Sequence, residues 1–132
     1  MNAKSVGVIG AGAWGTAVAQ ALARGGNNVE IWAREQDVVE SINTDHENNR
    51  YLPKFKLSEN LTASTDILKV AQDKEFLILA SPSLYLASTV AQLLDVPSIK
   101  DGSTCIGVLT KGFVPSDKGP RLILETLEDV LP

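Results

Sequence analysis

Apolar residues fall along this chain in short blocks, and the spacing inside the blocks changes from one to the next. Val6, Val8 and Ile9 make a compact run of strand length. Trp14, Val18, Ala21 and Leu22 then recur at i, i+4, i+7 and i+8, the spacing of one helix face, and Gly25-Gly26 ends that helix. Val29 to Trp32 reads as a second strand, and Val38, Val39 and Ile42 predict a short helix from Glu35 to about Asn43. From Thr44 to Leu57 the pattern is irregular and polar, with Pro53 inside it and few apolar anchors besides Tyr51, Leu52 and Phe55. A loop that long in a compact domain usually has a job or is mobile. Leu61 to Thr65 reads as a third strand, and Asp66 caps a brief helix carrying Ile67, Leu68 and Val70 that Asp73-Lys74 ends. Phe76 to Ala80 is continuously apolar, as in a strand buried on both faces. Ser83 then caps a helix over Leu84 to Leu94, with Leu84, Ala87, Ala91 and Leu94 on one face. Pro97 to Gly102 reads as a connection, Ser103 to Thr110 as a fifth strand, and Pro120 as the opening of a last helix striped by Ile123, Leu124, Leu127 and Leu131.

Strands that alternate with helices imply an α/β domain: a doubly wound parallel sheet with helices on both faces and strand order 3-2-1-4-5. A full sheet of this type has a sixth strand, so the sheet is expected to be truncated at its carboxyl-terminal edge, near Pro132. The 132 residues suffice for one domain, and at this size roughly two-thirds of the unfolded surface is buried.

Between the first strand and the first helix stand Gly10, Gly12 and Gly15, spaced G-x-G-x-x-G. Strand, glycine turn, helix and strand in that order make the opening of a dinucleotide-binding, Rossmann-type unit. The first N–H groups of a helix lack intrahelical partners and carry the positive end of its dipole, so they favour a pyrophosphate. Gly10 suits the tight exit from the strand, Gly12 a close ligand approach and Gly15 close packing of the helix on the sheet. In such sheets ligands bind beyond the carboxyl ends of the strands. Four stretches fall there: the glycine turn, Ala33-Arg34, Ser81-Pro82-Ser83 and Thr110-Lys111-Gly112.

At the end of the second strand an acidic residue bonds the ribose of NAD, whereas an arginine pairs with the 2′-phosphate of NADP. Arg34 stands in that region with Glu35 beside it, so NADP(H) is expected to be accepted alongside NAD(H). A solvated arginine at a helix start is the plain alternative. Lys111 suits an anionic substrate or a polarised hydroxyl, or is a surface lysine. His46, the one histidine, reads as an acid or base, or as a loop residue held by backbone hydrogen bonds. Trp14 either covers a cofactor, packs on the sheet, or does both. Neither the histidine nor the lone Cys105 has the neighbours of a metal site. The flanking Ile106 and Val108 suggest a buried, inert thiol, and one cysteine allows no internal disulfide, in keeping with a reducing, cytoplasmic setting.

The charges are scattered over a net of −4, with no basic patch to suggest nucleic acid as a partner. No apolar run is long enough to span a membrane. Lys4 and Ala19-Gln20-Ala21 superficially mimic a secretory signal, but the three glycines between them argue against it.

The segments GAGAWGTAVAQALA, IWAR, HENNRYLPKFKLS, ASPSLYL and LTKGF, in that order, resemble the amino-terminal domain of bacterial-type NAD(P)-dependent glycerol-3-phosphate dehydrogenases. The resemblance covers nearly the whole chain, and HEN-x-x-YLP is its distinctive part. It implies that residues 1–132 are an NAD(P)-binding domain whose enzyme reversibly reduces dihydroxyacetone phosphate to sn-glycerol 3-phosphate, for glycerophospholipid synthesis in the cytoplasm. It implies cofactor contacts at Gly10, Gly12, Ala13, Trp14, Gly15, Arg34, Tyr51, Pro82, Ser83 and Lys111. Lys111 would touch the substrate as well. The main catalytic base, the substrate-phosphate site and much of a homodimer contact would lie in a carboxyl-terminal helical domain absent from this chain, which by itself is expected to be inactive. Ala33 and Lys54 stand where this family often has glycine. A related two-domain dehydrogenase, a ketopantoate-type reductase, or a non-catalytic NAD(H)-sensing module are the competing readings. The YLP loop and the Thr110-Lys111-Gly112 segment argue against the first two.

Overall fold

The computed structural model describes residues 3–81, 86–109, 113–114 and 121–122. Five parallel strands form its sheet: β1 (Ser5–Ile9), β2 (Asn28–Trp32), β3 (Leu61–Ser64), β4 (Phe76–Leu79) and β5 (Cys105–Val108). Their order is β3-β2-β1-β4-β5, as the alternation of elements predicts. Parallel neighbours need crossovers, and the crossovers carry α1 (Ala13–Arg24), α2 (Gln36–Glu40), α3 (Ile67–Ala71), α4 (Leu86–Ala91) and α5 (Pro97–Lys100). Among the described residues, β6 (Phe113–Val114) and β7 (Arg121–Leu122) pair antiparallel.

The sheet separates two apolar layers because successive side chains of a strand point to opposite faces. Val6 and Val8 of β1 pack with Ala19 and Ala23 of α1 and Val38 and Val39 of α2. Ile9 packs on the other side with Val70 of α3, Leu77 and Leu79 of β4 and Val90 of α4. On that second side Gly7 is forced: a Cβ there would stand 2.6 Å from the Val70 carbonyl oxygen.

Several elements depart from the sequence pattern. The buried face of α1 is Gly15, Thr16, Ala19 and Ala23, one step round from the face that Trp14 and Val18 define. Small residues let the helix lie close to the sheet, and Trp14 is left 74% exposed, so it does not pack on the sheet. The second helix runs on from α2 through a π-helical turn, Ser41–Asp45, which keeps Ile42 in the core. Pro97 starts the short helix α5 rather than a plain connection; its fixed φ suits a first helical turn. Arg121–Leu122 is a strand where a helix is expected, paired antiparallel with Phe113–Val114; Pro120, Ile123, Leu124, Leu127 and Leu131 lie outside the described residues. Cys105 is exposed. The period of two puts Ile106 and Val108 against the core and turns Cys105 to the opposite face. Phe76, at the start of β4, is also largely exposed, so that strand is not buried throughout. Asp66 caps α3 as expected, its Oδ1 accepting from the N–H groups of Leu68 and Lys69.

Candidate functional site: a glycine turn on the carboxyl rim of the sheet

Register places the carboxyl ends side by side. Ser64, Trp32, Ile9, Leu79 and Val108 form one row across the five strands. The ladder continues one residue further, through Gly10 N–H to Trp32 O, Ala33 N–H to Ser64 O, Ala80 N–H to Ile9 O and Leu109 N–H to Leu79 O. The glycine turn, Ala33-Arg34, Ser81 and Leu109 therefore leave the sheet along one rim. Pro82 and Ser83 follow Ser81 directly, and Lys111 follows Leu109 by two residues. All three lie outside the described residues.

The glycines have separate jobs. Gly10 adopts φ +121°, and a Cβ on it would stand 2.8 Å from the Ala80 carbonyl group. The first crossover thus turns hard against the end of β4. A Cβ on Gly15 would lie 2.2 Å from the Gly10 carbonyl oxygen, which α1 can approach only without a side chain. A Cβ on Gly12 would meet nothing within 4 Å. Gly12 is the N-cap of α1, and no side chain caps the helix there. An open, uncapped N-terminus of a twelve-residue helix, at the end of the central strand, fits a pyrophosphate. Ala13 and Trp14, both exposed, form its first turn.

At the end of β2, Ala33 is buried and Arg34 is exposed. Glu35 is tied down: its Oε2 accepts a hydrogen bond from the Tyr51 hydroxyl at 2.5 Å and lies 3.7 Å from Arg50 Nη1. Arg50 also reaches Asp37 at 3.5 Å and sits 5.9 Å from the centre of the Tyr51 ring. The Tyr51 phenol is pushed above its ordinary value, chiefly by that hydrogen bond to Glu35. Tyr51 is thus bonded to the residue that follows Arg34, just past the end of β2.

The loop that carries Tyr51 is anchored by residues that its pattern does not single out. Tyr51 and Phe55 are largely exposed, whereas Asn48 and Leu57 are buried. Asn48 Nδ2 donates to the Ala11 carbonyl and to Thr16 Oγ1, both at 2.8 Å. Thr16 Oγ1 donates in turn to the same Ala11 carbonyl. Asn48 Oδ1 accepts from the Tyr51 N–H. The loop is thus bonded straight to the glycine turn. Apolar periodicity has no means of flagging a buried amide; only its place inside the HEN segment marks it.

His46 ends the π-helical turn with φ 54°. Its N–H donates to Ile42 O and its carbonyl accepts from Leu57 N–H, the backbone-held reading. Its Nδ1 is buried without a hydrogen-bond partner among the described residues. Among those residues no three His, Cys, Asp or Glu side chains group as metal ligands, and no helix is long and apolar enough to cross a membrane.

The strand order, with a glycine turn opening a helix at the end of the central strand, defines a dinucleotide-binding α/β domain of Rossmann type. The model of the NAD-dependent glycerol-3-phosphate dehydrogenase N-terminus matches residues 5–132, and the chain belongs to that family. It is 49% identical to a glycerol-3-phosphate dehydrogenase [NAD(P)+] of Treponema denticola, a match that takes in all of this chain and 38% of that protein. The corresponding Treponema pallidum protein is 39% identical over 97% of this chain and 38% of its own length. Among solved structures, glycerol-3-phosphate dehydrogenase from Coxiella burnetii superposes with a TM-score of 0.86 at 30% identity, over 98% of this chain and 38% of that one. The chain therefore spans well under half the length of these relatives.

Proposed function

We propose that this chain is the cofactor-holding part of an enzyme that uses NAD(H) or NADP(H) to interconvert dihydroxyacetone phosphate and sn-glycerol 3-phosphate, supplying glycerophospholipid synthesis in the cytoplasm. The observation that carries the reading is the open N-terminus of α1 at Gly12, in a chain that matches the family from residue 5 to 132. Gly10, Gly12, Ala13, Trp14 and Gly15 hold the pyrophosphate, and Arg34 meets the adenosine end. Tyr51 closes the cofactor side from the YLP loop. By the family resemblance Pro82, Ser83 and Lys111 also contact the cofactor, and Lys111 the substrate as well. When bound, the reduced cofactor supplies the hydride for carbonyl reduction. In this reading the residues of the chain bind and orient, while the main base and the substrate-phosphate site belong to a helical domain outside residues 1–132, through which the full-length enzyme also forms a homodimer.

Fluorescence titration of the purified chain with NADH and NADPH tests this reading. Saturable binding of either, lost in Gly12→Asp, is the expected result; no binding of either cofactor overturns it.

A further inference from the structure

We infer that Asn48, from the long loop, is the positioning residue that aims the backbone N–H of Gly12 at the cofactor's pyrophosphate. The inference rests on the dinucleotide reading above and goes one step further, to what sets the geometry of the anion site.

The Asn48 side chain is fully buried, and every polar group on it is used. Its two amide protons go to the Ala11 carbonyl and to Thr16 Oγ1, and its oxygen takes the Tyr51 N–H. The orientation of the amide follows from its partners, because a carbonyl can only accept. Thr16 has likewise one choice: it accepts from Asn48 and so donates to Ala11. The Ala11 carbonyl oxygen, on a buried residue, thereby receives two converging donors.

That carbonyl shares its peptide plane with the N–H of Gly12. The peptide is trans, so the two bonds point in opposite directions. Holding the oxygen inward against Asn48 and Thr16 turns the Gly12 N–H outward. The backbone at Gly12 is open to a ligand's approach, since a Cβ built there would meet nothing within 4 Å. A glycine-rich turn has little of its own to hold that plane, since glycine visits more of φ/ψ space than any other residue. A peptide plane free to flip would present a carbonyl oxygen to the phosphate, a repulsive contact in place of a donor. The long loop thus acts as a clamp behind the turn.

The experiment compares two ligands by ¹H–¹⁵N NMR titration: ADP-ribose, which carries the pyrophosphate, and adenosine, which does not. The variants are Asn48→Asp, which keeps the acceptor for Tyr51 but loses both donors, and Thr16→Val, which loses the hydroxyl at constant shape. Affinities are taken on the folded fraction, fixed independently by urea denaturation. The expected result is a loss of about tenfold or more for ADP-ribose in either variant, with adenosine affinity unchanged within twofold. The Gly12 amide signal, shifted by ADP-ribose in the parent chain, ceases to respond in the variants. Thr16→Ser, which retains the hydroxyl, restores binding. If Asn48→Asp does not fold, Thr16→Val against Thr16→Ser decides. Equal losses for ADP-ribose and adenosine, or no loss for either, overturn the clamp. A parent chain that binds adenosine but not ADP-ribose overturns instead the reading on which it rests, and the clamp with it.

Discussion

The Tyr51 hydroxyl donates to Glu35 Oε2 at 2.5 Å, joining the YLP loop to the residue that follows Arg34 at the end of the second strand. The phenol must keep its proton to donate, so its pKa lies above the ordinary 10. The bond is therefore complete below pH 10 and lost as pH rises through the raised value. Phenolate absorbance of the parent chain against Tyr51→Phe isolates this titration. Glu35→Gln removes the charged acceptor, and the Tyr51 pKa is expected to fall toward 10. A value indifferent to that change would show that Glu35 does not hold Tyr51 in solution.

Gly12 and Gly15 stand three residues apart, and alanine should affect them in opposite ways. Gly15→Ala drives a methyl group into the Gly10 carbonyl oxygen. Overpacking of this kind costs about 1–3 kcal/mol or more, read by urea denaturation. Gly12→Ala points its methyl group into open space from an ordinary extended φ of −68°. Stability should hold within about 0.5 kcal/mol, while NADH affinity is lost because the methyl group stands where the pyrophosphate approaches. A Gly12→Ala chain that binds NADH as well as the parent would place the pyrophosphate elsewhere.

Arg34→Ala should weaken NADPH more than NADH. A charge-assisted contact between guanidinium and 2′-phosphate is worth roughly 1.5–3 kcal/mol, about ten- to a hundredfold in affinity. Parallel titrations with the two cofactors give the ratio. Equal losses would assign Arg34 to adenine stacking or to the fold alone.

The 132-residue chain should bind NADH without turning over dihydroxyacetone phosphate. It spans 38% of its Treponema denticola relative. By resemblance the base lies outside it, and a positioned acid or base contributes about 10²–10⁴-fold. Orientation of a bound substrate contributes on the order of 7–11 kcal/mol more. NADH absorbance in the presence of the ketone is the assay. A rate near that of a full-length dehydrogenase would place the base within these residues, with Lys111 the first to mutate.

Local spacing reads the strands of the parallel sheet well here. The five parallel strands, their order and the Asp66 cap are all legible, because each follows from local spacing and from the rule that parallel neighbours need crossovers. Readings that depend on a neighbour fare worse. Trp14 and Val18 mark the apolar stripe of their helix in the sequence, but the sheet takes the face of Gly15, Thr16, Ala19 and Ala23. Cys105 sits among apolar residues, but alternation along β5 turns it to the other side. The glycine turn is legible in the same way, while the buried Asn48 behind it is not.

By itself the sequence determined the kind of sheet, the position of the glycine turn and, through the HEN-x-x-YLP segment, the family. The first two follow from the spacing of apolar residues and glycines, where chain geometry leaves few choices; the last is a resemblance carried by particular segments. Only the tertiary structure decided which groups meet across the chain: Asn48 on the carbonyl of Ala11, 37 residues away, and Tyr51 on Glu35, 16 residues away. The physical reason is directionality. Hydrophobic burial is non-directional and roughly additive in area, so its pattern survives projection onto a line. A hydrogen bond needs a donor, an acceptor and an angle, and those exist only once the loop has been folded back onto the turn.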